Sequence, residues 1–234
     1  MPKKGTIMNS VYDLMQQMPL FQGLSFEHLM DIVEKVRFDF RKAASDEVIV
    51  YQGDPCTELV YIIRGRYTSL CEAPELKLKV KEVLEGPALL EPYSLFGYDA
   101  VFTATYRAVE ELQYVIIPKS YISSYLGNFE IFRLNYFNIL SRRAQQLRNK
   151  ARMPVGETVG KKFVHFMIRQ CEKQTGAKVV SIRMLDLAVL LDETRLNISR
   201  LLNTWEAQGL LLLTRQTIEI SEFERLIELV KDEK

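Results

Sequence analysis

The sequence predicts an α+β fold: a β-roll or jelly roll, then one long helix, then a helix-turn-helix carrying a β-hairpin wing. Three observations carry this. From about Phe38 to Pro118 apolar residues alternate with a period near two, broken by Gly and Pro. Asn128–Met153 contains neither Pro nor Gly and repeats apolar residues at spacings of three and four. Met184–Leu210 then holds two short helical patterns around a tight connection, followed by two β-prone runs.

At the N-terminal end, Ser10–Met18 and Ser25–Val36 read as short helices. Ser25 suits a cap, and Leu29, Ile32, Val33 and Val36 form an inward face. Strands are expected at Val48–Tyr51, Leu59–Ile63, Tyr67–Cys71, Lys77–Val83 and Tyr106–Ile117, with turns at Gln52-Gly53-Asp54 and Arg64-Gly65.

The long helix presents Phe129, Phe132, Tyr136, Leu140, Ala144, Leu147 and Ala151 as a narrow seam. Such a stripe suits a partner-facing seam through Phe132, Tyr136, Leu140, Ala144 and Leu147. Its end carries Arg142, Arg143, Arg148, Lys150 and Arg152, a solvated surface or a source of positive potential. Met153-Pro154-Val155-Gly156 breaks the pattern and marks a hinge. The division expected is 1–127, 128–153 and 154–234. In the last part, Thr158–Gln174 is a helix with Val159, Phe163, Phe166, Met167 and Ile168 inward, and Val179–Ile182 is a strand.

In MLDLAVLLDETRLNISRLLNTWEAQGL, the residues Asp192-Glu193-Thr194 favour turns and caps, so the second helix begins near Thr194. Ile198, Leu201, Leu202 and Trp205 recur at helical spacing and face inward. Thr194, Arg195, Asn197, Ser199, Arg200 and Asn203 remain on the other faces. Arg can clamp guanine O6 and N7, Asn can pair with adenine, and hydroxyls reach phosphates, so this face suits a DNA major groove. By itself the pattern equally fits a solvated face on an ordinary helical hairpin. Leu210–Thr214 and Thr217–Ser221 around Arg215-Gln216 supply the wing.

LAVLLDETRLNISRLLNTWEAQGLL and the TIEIS strand resemble the winged helix of the Crp/Fnr family of bacterial transcription regulators. That family tends to read L-A-x-x-L-G-x-[ST]-R-E-T-[IV]-S-R-x-L here. Leu187-Ala188, Leu191, Thr194-Arg195, Ile198, Ser199-Arg200 and Leu202 match. Asp192 replaces a turn Gly, which Asp tolerates, and Leu196 replaces a base-reading Glu, which alters the expected sequence preference. EVIVYQGDPCTELVYIIRGRYTSL resembles the family's sensor domain, with its two Gly turns in order. The resemblance implies a sensor β-roll, a dimerisation helix and a DNA-binding domain. It implies double-stranded DNA, a second copy of the chain and RNA polymerase as partners, with Arg183 near a phosphate-contacting position.

In cyclic-nucleotide-binding relatives a Gly-Glu-Leu turn holds the ribose and an Arg-Ser/Thr pair neutralises the phosphate. Anchored on Tyr106-Arg107-Ala108, these correspond to Leu90-Glu91-Pro92 and Phe102-Thr103. The glutamate and hydroxyl persist, but Phe102 stands where the arginine should be. A buried phosphate without a paired cation is disfavoured by several kcal/mol. Arg107 lies an odd number of residues from Phe102, which on a regular strand puts it on the opposite face. The positions that contact the base in relatives correspond to Leu147 and Arg148. The resemblance therefore implies a pocket of Glu91, Phe102, Thr103, Leu147 and Arg148 that does not take cyclic AMP and whose effector, if any, is unidentified. Glu91 and Thr103 fit equally as fold-keeping polar residues.

Composition fits a soluble regulator. The net charge is +1, and from Pro154 to Lys234 basic and acidic residues are equal in number, so any footprint on DNA comes from local placement. Cys56, Cys71 and Cys171 are odd in number and widely spaced, which fits a reducing cytoplasm better than a disulfide framework. No cysteine precedes Cys56, so an N-terminal iron–sulfur cluster is not expected, and no metal or other cofactor is marked. The start has no continuous apolar segment, and no run approaches the roughly 18 residues of a membrane span. His28 and His165 lie in amphipathic patterns without a nucleophile or orienter, so no enzyme is expected. The competing reading is a ligand-binding or protein-interaction module with a non-DNA role.

Overall fold

The computed structural model describes residues 4–153 and 158–231. Contacts divide the chain into two compact units: Met1–Arg66, Glu85–Thr103 and Ala108–Gln146 form the first, and Tyr67–Leu84, Ala104–Arg107 and Leu147–Lys234 the second.

The first unit contains helices α1 (Lys4–Gln17) and α2 (Phe26–Lys35) and strands β1 (Asp39–Ala43), β2 (Val48–Val50) and β3 (Glu58–Arg64). Strands β4 (Arg66–Ala73) and β5 (Leu78–Glu85) come next in the chain. The first unit resumes with β6 (Ala88–Leu90) and, beyond β7 (Thr105–Ala108), with β8 (Leu112–Pro118), α3 (Lys119–Ser124) and the start of α4 (Glu130–Ala151). One antiparallel sheet runs in the order β1-β8-β3-β6. Ser25 caps α2, its hydroxyl accepting from the His28 N–H at 3.3 Å. Phe21 lies fully buried between Phe38 and Phe132, at ring distances of 6.1 and 5.4 Å.

The strand expected over Tyr106–Ile117 is two strands, β7 and β8, with a corner at Val109–Glu111. Glu110 accepts from the Arg66 backbone N–H at 3.2 Å and from its guanidinium at 3.0 Å. Gly65 has φ +109, and a Cβ there would meet the Glu111 carbonyl oxygen at 3.0 Å. The chain folds back at this corner, and alternation alone cannot signal that.

The second unit contains α5 (Val159–Gln170), β9 (Lys178–Ser181), α6 (Met184–Leu191), α7 (Arg195–Ala207), β10 (Leu212–Thr214), β11 (Thr217–Ile220) and α8 (Phe223–Lys231). Its strands run in the order β10-β11-β9-β5-β4-β7. Leu78, Val80, Glu82 and Leu84 alternate inward along β5 while Lys79, Lys81, Val83 and Glu85 face out. The inward apolar pair Leu78 and Val80 joins Phe163, Met167, Val180, Leu187, Ile198 and Trp205 in one core. The β4–β5 hairpin, which the linear division assigns to the β-roll, is thus packed with the C-terminal elements. The hinge expected at Met153-Pro154-Val155-Gly156 lies, from Pro154 on, outside the described residues.

The expected dimer seam needs correction. Phe132 and Tyr136 are buried within their own chain: the Phe132 ring packs tilted against Phe21, and the Tyr136 hydroxyl donates to the Pro92 carbonyl at 2.5 Å. The outward apolar side chains of α4 are Leu134 and Phe137, with Leu147 toward its end. Leu140 is partly covered and Ala144 exposed. A helix with apolar residues on two faces has one stripe for its own domain and one left over, and spacing does not say which is which.

In the second unit a buried ion pair joins β5 to β9. Lys178 is fully buried and its Nζ donates to Glu82 Oε2 at 3.1 Å and to the Thr175 carbonyl at 2.8 Å. Glu82 also accepts from the backbone N–H groups of Glu172 and Lys173. Removing one member leaves an uncompensated charge, so Lys178→Met should destabilise the protein by about 3–5 kcal/mol in denaturant unfolding. A loss under about 1 kcal/mol would show that the pair is not holding the hairpin to β9.

Candidate nucleic-acid interface

Helices α6 and α7 are joined by three residues, and the turn works because Asp192 adopts a left-handed conformation, φ 50 and ψ 56. Its N–H donates to the Val189 carbonyl at 3.2 Å and that of Glu193 to Ala188 at 3.0 Å. Thr194 then caps α7, its hydroxyl accepting from the Asn197 N–H at 3.1 Å. Ile198, Leu202 and Trp205 are buried, with Trp205 edge-on to Phe163 of α5 at 5.7 Å. This packing fixes which face of α7 is presented. Thr194, Arg195, Leu196, Arg200 and Asn203 are exposed on it.

Two residues expected on that face are engaged elsewhere. Asn197 donates its amide to Glu193 at 3.1 Å, and Glu193 pairs with Lys162 of α5 at 2.7 Å. The Lys162 ammonium, then Asn197, holds the Glu193 carboxyl below the usual carboxylate range. Asn197 is therefore a clasp between the turn and α7. Ser199 is half-buried and its hydroxyl accepts from Asn203 at 3.5 Å, a contact at the limit of hydrogen bonding. Arg183 precedes α6 and is held by a two-point pair with Asp186, at 2.5 and 2.9 Å.

The wing is tied to α7 by Glu206, which accepts from the Leu213 N–H at 2.8 Å. Between wing and helices lies a groove of about 290 Å³ lined by Arg183, Leu185, Arg195, Thr214, Gln216 and Thr217. The wing residues Thr214, Gln216 and Thr217 belong to this surface, and the sequence signalled only their hairpin. Chemically the groove offers guanidinium groups, hydroxyls and an amide beside apolar contacts. Leu185, Val189 and Leu196 are exposed apolar side chains on the same head.

The residues of the expected ligand pocket divide. Glu91, Phe102 and Thr103 are brought together in the first unit, in the segment between β6 and β7. Glu91 is 3% exposed and left-handed at φ 37. Its carboxylate accepts from the Thr103 N–H at 2.8 and 3.1 Å and from the Ser94 hydroxyl at 2.8 Å. Phe102 is buried, its backbone bonded to the Gly53–Asp54 turn in both directions, at 2.8 and 3.0 Å. Leu147 and Arg148 belong to the second unit, where both are exposed on α4. Arg107 is exposed on β7. Among the described residues no group of His, Cys, Asp or Glu is placed to hold a metal ion, and no helix is long and apolar enough to cross a membrane.

No family model matches the chain. No curated protein matches it either. Solved structures of similar fold include the catabolite activator protein of Thermus thermophilus, at 21% identity and a TM-score of 0.47, covering 92% of this chain and 99% of that one. DNR from Pseudomonas aeruginosa is similar at 18% identity and a TM-score of 0.46, covering 97% and 99%. The c-di-GMP responsive global regulator CLP of Xanthomonas campestris is similar at 15% identity and a TM-score of 0.46, covering 84% and 99%.

The Glu91 geometry makes a definite stability prediction. Glu91→Ala leaves the Thr103 N–H and Ser94 hydroxyl without this acceptor, so it should lower unfolding free energy by about 1–3 kcal/mol in the absence of any ligand. A variant as stable as wild type would refute a fold-keeping role for the carboxylate.

Proposed function

We propose that the chain is a DNA-binding transcription regulator of the Crp/Fnr type, in which residues 1–127 form the sensor β-roll, 128–153 the dimerisation helix and 154–234 the DNA-binding domain. The observation that carries this reading is the exposed Arg195 in the first turn of a capped helix whose opposite face is buried through Ile198, Leu202 and Trp205. That is how a recognition helix presents its N-terminal side chains to base edges. Arg195, Arg200 and Asn203 are assigned to the duplex, with Thr194 near a phosphate, and Leu196 to a thymine methyl. Arg183 and the wing hydroxyls reach the backbone.

The protein acts as a homodimer on a pseudo-palindromic operator with half-sites about one DNA turn, roughly 34 Å, apart. Leu134 and Phe137 are the outward apolar side chains of α4 that a second copy would cover. The β-roll does not bind cyclic AMP: Phe102 supplies no positive charge, and Glu91 is already used by Thr103 and Ser94. Any effector acts by shifting a population between a competent and an incompetent arrangement of the two reading heads. The role is regulatory rather than enzymatic, in the cytoplasm, with RNA polymerase as a downstream partner.

A second reading has one observation in its favour. Val189 is 80% exposed and Leu185 60%, apolar side chains that would suit a protein docked on α6. Selection of bound duplexes from a random library, followed by titration across salt concentrations, separates the two. A regulator should lose affinity steeply with salt, and Arg195→Ala should cost about 1–3 kcal/mol on the preferred duplex and relax its specificity. Equal micromolar affinity for every duplex, unchanged by this substitution, would favour the docking role.

The effector question has its own measurement. Calorimetric titration of the full chain with cyclic AMP should show no binding at micromolar concentrations. A submicromolar dissociation constant would refute the reading of Phe102.

A further inference from the structure

The groove in front of α7 does not end at Arg183. A second cavity of about 290 Å³ continues it, sharing Ile182, Arg183 and Gln216 and adding Lys77, Lys79 and Ser181. Lys77 sits at the left-handed end of the β4–β5 turn, and Lys79 is the first outward residue of β5. The hairpin therefore brings two lysines, distant in sequence, to the end of the reading surface.

Register makes this arrangement specific. Lys79 is opposite Ser181, Ser181 is opposite Thr217, and Thr217 is opposite Thr214. Directly opposed residues in antiparallel strands share a face, so one ammonium and three hydroxyls form a single row across β5, β9, β11 and β10. A row of hydroxyls and ammonium groups is the chemistry that contacts a phosphodiester backbone rather than base edges. The facing acids are Glu72, paired with Lys79 at 2.9 Å, Asp186, paired with Arg183, and Glu219, which shares the outward face of β11 with Thr217 one pleat away from the row. Exposed pairs of this kind are worth little and yield readily to a phosphate. Glu75 lies in the turn itself, while Glu82 is turned inward to Lys178. The Arg183 guanidinium, with a smaller contribution from Lys77, holds the Asp186 carboxyl below its usual range.

We propose that the β4–β5 hairpin is part of the DNA-binding surface, where Lys77 and Lys79, with the Ser181 hydroxyl, take a backbone phosphate beyond the base pairs facing α7. This rests on the DNA-binding reading above. It also accounts for how a C-terminal segment with equal acids and bases binds a polyanion: part of the cationic surface is supplied by a segment far upstream in the chain.

The test uses the full chain and the duplex selected from the random library, with a scrambled duplex of equal length. Affinities of wild type, Lys77→Gln/Lys79→Gln, Lys77→Arg/Lys79→Arg and Arg195→Ala are measured across salt concentrations, with thermal unfolding as the check on folding. The glutamine pair should reduce the slope of log affinity against log salt by about one per protomer and weaken both duplexes by the same factor, about ten-fold at low salt. The arginine pair should keep the wild-type slope. Arg195→Ala should instead weaken the selected duplex more than the scrambled one. A glutamine pair that folds normally and binds with unchanged slope, while Arg195→Ala still loses specificity, overturns the hairpin site alone. A wild-type protein that binds neither duplex overturns both readings.

Discussion

The pairing of β5 with β9 is the constraint on which the second unit depends. It joins a hairpin from upstream of residue 86 to a strand of the winged helix, in the register Val80–Val180 and Glu82–Lys178. Bringing these strands together buries a full ion pair, which by itself is unfavourable because both charges lose water. The arrangement holds because both charges find several partners: two backbone N–H groups and the ammonium reach the Glu82 carboxylate, and the ammonium also reaches a carbonyl. Val80 and Leu78 beside it contribute apolar burial to the same core as Trp205. Shifting the register by one residue would turn Glu82 outward and bury Lys79 or Lys81, so the charged pair also fixes the alignment.

That alignment sets what the helix-turn-helix presents. With β9 fixed, Arg183 leads into α6 at the mouth of the groove, and β11 carries Thr217 and Gln216 alongside it. Asp192, Glu193 and Asn197, clasped by Lys162, then set the angle at which α7 leaves the turn. The exposed face of α7 is thus the outcome of two polar clusters, one at the sheet and one at the turn, around a single apolar core.

The first unit uses its buried polar groups differently. Glu91 is spent on the backbone of Thr103 and on Ser94, which closes the segment before β7 onto β6. Tyr136 of α4 reaches the Pro92 carbonyl next to it. Buried hydrogen bonds thus tie the start of α4 to the segment between β6 and β7.

Much of this was legible in the residues alone. The helices α6 and α7, the start of α7 at Thr194 and the wing were fixed by caps, by spacing and by the Arg215-Gln216 turn, all local signals acting within a few residues. Phe102 likewise announced a missing charge without any coordinates. What tertiary structure decided was partnership. Spacing marked Phe132 and Tyr136 as a seam, but only packing showed that they cover their own protomer and leave Leu134 and Phe137 outside. Helical spacing put Asn197 among the outward polar residues, but the Lys162–Glu193 pair drew it inward. Alternation defined β5, yet nothing local could say that its neighbour would be β9, nearly a hundred residues on. Local sequence determines which conformation a segment favours and which of its faces is apolar; which surface covers that face is settled by the competition among all available surfaces for burial, and that is a property of the folded whole.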